Sequence, residues 1–215
     1  MIVRTLTPEL LDSLPHDDPD AQRSRRDLRW INRAMGNHRW FARTLPPLLR
    51  AGERALELGA SDGELAARLA ARGVVVDGLD FCPRPAIWPA ERAWRTDDLR
   101  EFSGYSDYPA IYGNLILHHL RDAELAALGA TLRRTARVIL ASEPKRSAHS
   151  QRLFAVAGRV LGASHVTLHD AHASIAAGFL GDELPQALGL GDGAWDVRTE
   201  TSAFGAYRMI AVRRT

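Results

Sequence analysis

The chain has 215 residues, 46% hydrophobic and 25% charged, with a formal net charge of +2. That size suits one α/β domain with a modest cap, and that composition belongs to a water-soluble globular protein. The single cysteine, Cys82, excludes an internal disulfide and a cysteine-based metal cluster. No apolar run reaches the roughly 18 residues of a membrane span. An acidic, proline-containing stretch over 8–20 stands where a signal peptide would, so the expected location is the cytoplasm.

In chain order, helices are expected over 21–35 and 38–50. Arg23, Arg25, Arg26, Arg29, Arg33, Arg39 and Arg43 cluster there, interleaved with Leu28, Ile31 and Met35 at helical spacing. This is an amphipathic helix with a basic solvated face. It reads as a cap helix, as a lid touching substrate, or as a patch for an anionic partner. The net charge is small and Lys145 is the only lysine, so no nucleic-acid partner is expected.

A first strand over 54–58 leads through a small-residue turn into a helix over 64–72, closed by Gly73. A second strand over 74–80 ends at Asp80. A strand, a glycine-rich turn, a helix and an acidic residue at the next strand's tip form a nucleotide-binding half-domain. Its glycines let the backbone approach a ligand, and Asp80 can accept hydrogen bonds from two ribose hydroxyls. The turn carries Glu57, Gly59, Ser61 and Gly63 at alternate positions. A dinucleotide fingerprint spaces its glycines differently and seats pyrophosphate on the helix N-terminus. A carboxylate at Glu57 would repel pyrophosphate and suit an ammonium group.

A proline-rich loop over 81–89 precedes a short third strand over 92–96. A fourth strand is expected over 110–117, a helix over 122–135 with Leu125, Leu128 and Leu132 on one face, and a fifth strand over 137–142. The alternation predicts a parallel sheet. Runs over 195–200 and 207–212, joined through Gly205, break that rhythm as a β-hairpin.

Strand four ends in His118 and His119, and ligands of such sheets lie beyond the carboxyl ends of the strands. Strand alternation points consecutive histidines in opposite directions, so one of them would face the ligand. His165, His169 and His172 lie close together with Asp170. Their spacing could place metal ligands on one helical face. Val166, Thr167 and Leu168 read as extended, however, which scatters the histidines. No metal is expected there. A structural role, or a place for His169 and Asp170 in a substrate pocket, remains.

The 55–64 stretch resembles motif I of class I S-adenosylmethionine-dependent methyltransferases, with Ser61 where glycine is usual. The histidine pair resembles the motif IV region of small-molecule members, and the terminal hairpin matches how that family departs from dinucleotide-binding domains. The resemblance covers about 53–143 and the hairpin. It implies an α/β, Rossmann-like, doubly wound, mostly parallel seven-stranded sheet ending in an antiparallel hairpin. A helical cap would occupy 1–50, and the methyltransferase domain 51–215, with a helical insertion at about 145–190.

By the same resemblance the cofactor is S-adenosyl-L-methionine and the product S-adenosyl-L-homocysteine. Glu57, Gly59, Ser61 and Gly63 would hold the amino-acid end, helped by the Asn114 backbone. Asp80 would take the ribose. Asp98, or else Asp97, would take the adenine amine, and Phe81 would stack on the ring. Residues 24–33 resemble a bacterial subgroup linked with polyketide-type phenol biosynthesis. That implies O-methylation of a small phenolic or polyketide-derived aromatic acceptor in secondary metabolism. A phenol ionises near pH 10, so a neutral histidine would help by removing its proton. His118 is the first choice as base, with His119 and His169 as further candidates. An NAD-dependent oxidoreductase, a methyltransferase acting on RNA or protein, and a non-catalytic cofactor-binding partner stay open, as does a homodimer. The turn spacing and hairpin weigh against the oxidoreductase. The missing Asn-Pro-Pro-Tyr-like motif at strand four weighs against the macromolecular enzyme.

Overall fold

Seven strands form a single sheet in the computed structural model, which describes residues 3–15 and 17–214. They are β1 (Arg54–Leu58), β2 (Val75–Asp80), β3 (Trp94–Thr96), β4 (Ala110–Asn114), β5 (Val138–Pro144), β6 (Trp195–Thr201) and β7 (Ala206–Arg213). The order across the sheet is β3-β2-β1-β4-β5-β7-β6. β1 to β5 pair in parallel, and β7 runs antiparallel to both β5 and β6. The expected sheet and terminal hairpin are therefore present.

The helices are α1 (Pro19–Met35), α2 (Asn37–Thr44), α3 (Glu64–Ala70), α4 (Asp122–Thr135), α5 (Ala148–Val160), α6 (His165–Ala177) and α7 (Glu183–Ala187). Both faces of the central strands are covered, which is why β4 and the first half of β5 read as apolar runs. Leu56, Leu58, Leu79, Ile111 and Ile139 pack on one face with Leu125 and Leu132 of α4. Ala55, Val76, Tyr112 and Leu140 pack on the other with Leu65 and Leu69 of α3 and Phe41 of α2. Phe41 and Leu45 are fully buried, so the segment before β1 is part of this core. Each such side chain contributes about 1.5–3 kcal/mol of burial.

Three local expectations are corrected. The helix expected over 38–50 stops at Thr44, because Pro46 and Pro47 deny it backbone donors, and 46–48 form a 3-10 turn. The strand expected to reach residue 117 ends at Asn114. Leu115 takes a left-handed φ of 58°, and 117–119 form another 3-10 turn. Val166, Thr167 and Leu168 are not extended but lie inside α6. Ser164 caps that helix, its Oγ accepting from Thr167 N at 3.1 Å, and the alanine-rich segment beyond favours helix over the β-branched preference of Val166 and Thr167. No helix among the described residues is long and apolar enough to cross a membrane.

Candidate functional site

The turn from β1 into α3 carries three left-handed residues, Gly59 (φ 66°), Ser61 (φ 48°) and Gly63 (φ 76°). A Cβ on Gly63 would lie 2.9 Å from the Trp88 ring, so only glycine fits. Ser61 accepts the strain that a glycine would avoid, roughly 1–2 kcal/mol for a left-handed L-residue. Its N–H donates to Asp80 Oδ2 at 2.8 Å, and Cys82 N donates to Asp80 Oδ1 at 2.8 Å. Asp80 thus ties the tip of β2 to the glycine turn. Each carboxylate oxygen has two lone pairs, which leaves capacity for hydroxyl donors from a ligand. Phe81, next in sequence, is 64% exposed.

The two acids after β3 differ in how free they are. Asp98 accepts Arg100 N at 2.8 Å and Arg100 Nη2 at 2.6 Å. Those bonds to Arg100 hold its carboxyl below the usual range. Asp98 is therefore occupied as a turn cap and ion-pair partner. Asp97 accepts Asp98 N at 2.8 Å, and its own N–H donates to Asp80 O at 3.1 Å. Asp97 is thus the acid of the two whose carboxylate is not engaged by Arg100.

Glu57 is buried and hydrogen-bonded within the sheet. It is 3% exposed and accepts the Tyr112 hydroxyl at 2.9 Å, its register partner on β4. Burial pushes the Glu57 carboxyl up to about 8, so it is uncharged at neutral pH. At the β4 tip, Asn114 Nδ2 donates to Asn32 Oδ1 at 3.0 Å, and Asn37 Nδ2 donates to the same oxygen at 3.2 Å. The α1–α2 junction is pinned there to the switch point between β1 and β4. Asn32 also lines a groove of about 700 Å³ with Arg29, Trp30, Arg33, Arg39 and Glu64.

The histidine pair sits one turn beyond Asn114. His118 is 3% exposed, and its Nδ1 lies 2.7 Å from Glu143 Oε2 on β5. Its Nε2 lies 3.5 Å from Glu9 Oε1 and has no hydrogen-bond partner among the described residues. Burial opposes charge on His118, but Glu143 and Glu9 outweigh it and raise the ring to about 9. His119 stacks on it with centroids 4.2 Å apart and Nδ1 3.8 Å from Asp12 Oδ2. Burial, then the His118 charge, push His119 down to about 4. These surroundings favour the charged form of the His118 ring and the uncharged form of His119. The rings do not point to opposite faces, because they belong to a turn and not to a strand.

The arm before α1 covers this pair. Arg4 donates to Leu120 O at 2.7 Å, Ala177 O at 2.9 Å and Asp122 Oδ1 at 2.7 Å. Asp170 accepts Leu10 N at 2.7 Å, Leu11 N at 3.0 Å and His169 Nδ1 at 2.9 Å. Asp170 is therefore the arm's anchor. His169 lines an outer groove of about 220 Å³ between α5 and α6 with Phe154, Arg159 and His172. Glu9, Asn32, Tyr112 and Glu143 were not expected from sequence. Glu143 alone left a signal, as the one charge in the buried run of β5.

The sequence matches no protein-family model and no curated protein. The fold does match solved structures. The plantazolicin methyltransferase BamL, in complex with a triazolic desmethylPZN analog and SAH, has a TM-score of 0.69 at 11% identity, over 95% of this chain and 93% of that one. Magnesium protoporphyrin IX methyltransferase (ChlM) from Synechocystis PCC 6803 with bound SAH has a TM-score of 0.57 at 16% identity, over 95% and 91%. The pyocyanin biosynthetic protein PhzM has a TM-score of 0.61 at 19% identity, over 96% of this chain and 62% of that one. The chain has the Rossmann-like fold of these three structures, two of them methyltransferases by name.

Proposed function

We propose that this chain transfers a methyl group from S-adenosyl-L-methionine to a small-molecule acceptor, leaving S-adenosyl-L-homocysteine. One observation carries the reading. The strained turn over 59–63 is bonded to Asp80 at the carboxyl edge of the sheet, in a fold that matches solved methyltransferases. Ligands of open α/β sheets bind at that edge. SAH bound to BamL and ChlM supports the choice of cofactor.

In this reading Gly59, Ser61 and Gly63 give the backbone close approach to the amino-acid end. Asn114 acts there too, while Glu57 supports the turn from beneath. Asp80 takes the ribose hydroxyls, Asp97 the adenine amine, and Phe81 the ring face. The arm and α1 act as a cap, while α2 belongs to the core of the catalytic domain. Transfer is an in-line displacement: an acceptor lone pair forms the new bond to the methyl carbon as the carbon–sulfur bond breaks and sulfur keeps its electrons. The protein's main contribution is alignment.

The finer reading is O-methylation of a phenolic or polyketide-derived acceptor, with proton loss at the histidine centre. His119, uncharged at neutral pH, is the member of the pair with a lone pair to offer. The test is incubation with methyl-labelled cofactor and a panel of phenols, carboxylic acids and amines. Label appearing on phenols and strongly reduced in His119→Ala supports the finer reading. Label on amines or acids alone would overturn it while leaving methyl transfer intact.

A further inference from the structure

We propose that Glu9, His118 and His119 form a binding site for one divalent cation, zinc or cobalt by ligand type. One ligand atom from each of the three side chains lies within 4.8 Å of the others. Glu9 Oε1 and His118 Nε2 are 3.5 Å apart. A tetrahedral zinc with bonds of about 2.0–2.2 Å separates adjacent ligand atoms by roughly 3.3–3.6 Å, so this pair already spans one tetrahedral edge. Two imidazoles and one carboxylate suit zinc and its borderline neighbours better than magnesium or calcium.

A second, independent feature points to a ligand here. His118 Nε2 is buried with no hydrogen bond among the described residues, its one charged neighbour being Glu9 Oε1 at 3.5 Å. A buried polar atom in a well-packed interior is normally satisfied. Meanwhile Nδ1 is held by Glu143 Oε2 at 2.7 Å. Metal-ligating histidines characteristically donate their second ring N–H to a carboxylate, which fixes the ring and aims the other nitrogen. Glu9 is itself oriented, accepting a hydrogen bond from the Ser174 hydroxyl.

The arm supplies one ligand and the turn after β4 supplies two, so the cation would cross-link two segments distant in sequence. Three protein ligands leave a fourth position for water or an acceptor oxygen. An acceptor hydroxyl bound there would lose its proton to solvent more readily. The site stands on its geometry and does not depend on the methyl-transfer reading; with the cation bound, His118 Nε2 would give up its proton and His119 would no longer be a free base.

The experiment is a titration of the chelator-treated full chain with cobalt(II) alone, read by its visible absorption and by competition with zinc. One equivalent of cobalt with four-coordinate bands is expected. His119→Ala and Glu9→Gln should each weaken binding at least tenfold, and His169→Ala should leave it unchanged. Circular dichroism and S-adenosylhomocysteine binding of His119→Ala, both unchanged, would show that the fold and the cofactor cleft are intact. No stoichiometric cobalt, or cobalt bound equally well by His119→Ala and Glu9→Gln, would overturn the proposal.

Discussion

Glu143 Oε2 lies 2.7 Å from His118 Nδ1, with both side chains buried between β5 and the turn that follows β4. The same carboxylate accepts Ile116 N at 3.2 Å, Leu117 N at 2.9 Å and His118 N at 3.3 Å. One side chain therefore fixes a backbone turn, the His118 ring orientation and the charge of that ring. A buried carboxylate is tolerated only with such partners.

Glu143→Ala removes all of those bonds and leaves a buried histidine beside Glu9 alone. The expected loss is about 3–5 kcal/mol, the usual cost of stripping one partner from a buried ion pair. Glu143→Gln keeps an acceptor oxygen for the amides and should lose about half as much or less. Urea unfolding of the two variants measures this. Equal losses would mean that the backbone bonds do not matter.

Glu57 gives the chain a pH-dependent stability. Burial lifts its carboxyl from an ordinary 4.5 to about 8. Below the lower value both folded and unfolded chains hold the proton, and nothing is lost. Between the two values the unfolded chain releases it and the folded chain keeps it. Stability therefore falls as pH rises through that window, by on the order of 1.4 kcal/mol per pH unit. Glu57→Gln preserves an acceptor for the Tyr112 hydroxyl and has no proton to lose. Melting temperatures between pH 5 and 8 should converge at the acid end and separate in favour of the variant at the basic end. Parallel curves would contradict the buried, uncharged carboxyl.

Asp97 and Asp98 should separate cleanly. Asp97→Asn, at the freer acid, is expected to weaken S-adenosylhomocysteine binding several-fold with little change in stability. Asp98→Asn loosens the Arg100 contacts, which are partly exposed, so its stability cost is expected at or below about 1 kcal/mol. Its cofactor affinity should hold. Calorimetric titration of both variants decides the assignment, and the opposite pattern would restore Asp98.

Ser61→Gly relieves a φ of 48° at the price of a looser unfolded chain. The net effect is a rise in melting temperature of about 1–2 °C. A fall would show that the Ser61 side chain makes a contribution the strain conceals.

The sheet was readable because its signals are local and redundant. Apolar runs at 54–58, 74–80 and 137–142 sit between glycine or proline breaks, and Gly205 marks the hairpin. The glycine turn and Asp80 were readable because backbone geometry demands particular residues at particular spacings. The end of β4 was not, since nothing in Leu115 announces a left-handed φ. That one residue ends the strand early and sets both histidines in a turn. Glu9 was invisible for a different reason: it reaches His118 from 109 positions away in sequence, through an arm held by Arg4 and Asp170. Side-chain charge states follow such long-range contacts, so the choice of base could not be made from the pair itself. α6 was misread because a serine cap outweighed a β-branched stretch.

The most direct test of the central claim is calorimetric titration of the wild-type chain and of Asp80→Ala with S-adenosylhomocysteine. The account predicts micromolar binding at one equivalent, weakened at least tenfold in the variant, whose amide-bonding carboxylate is gone. Absence of binding to the wild type, with NADH bound instead, would contradict it.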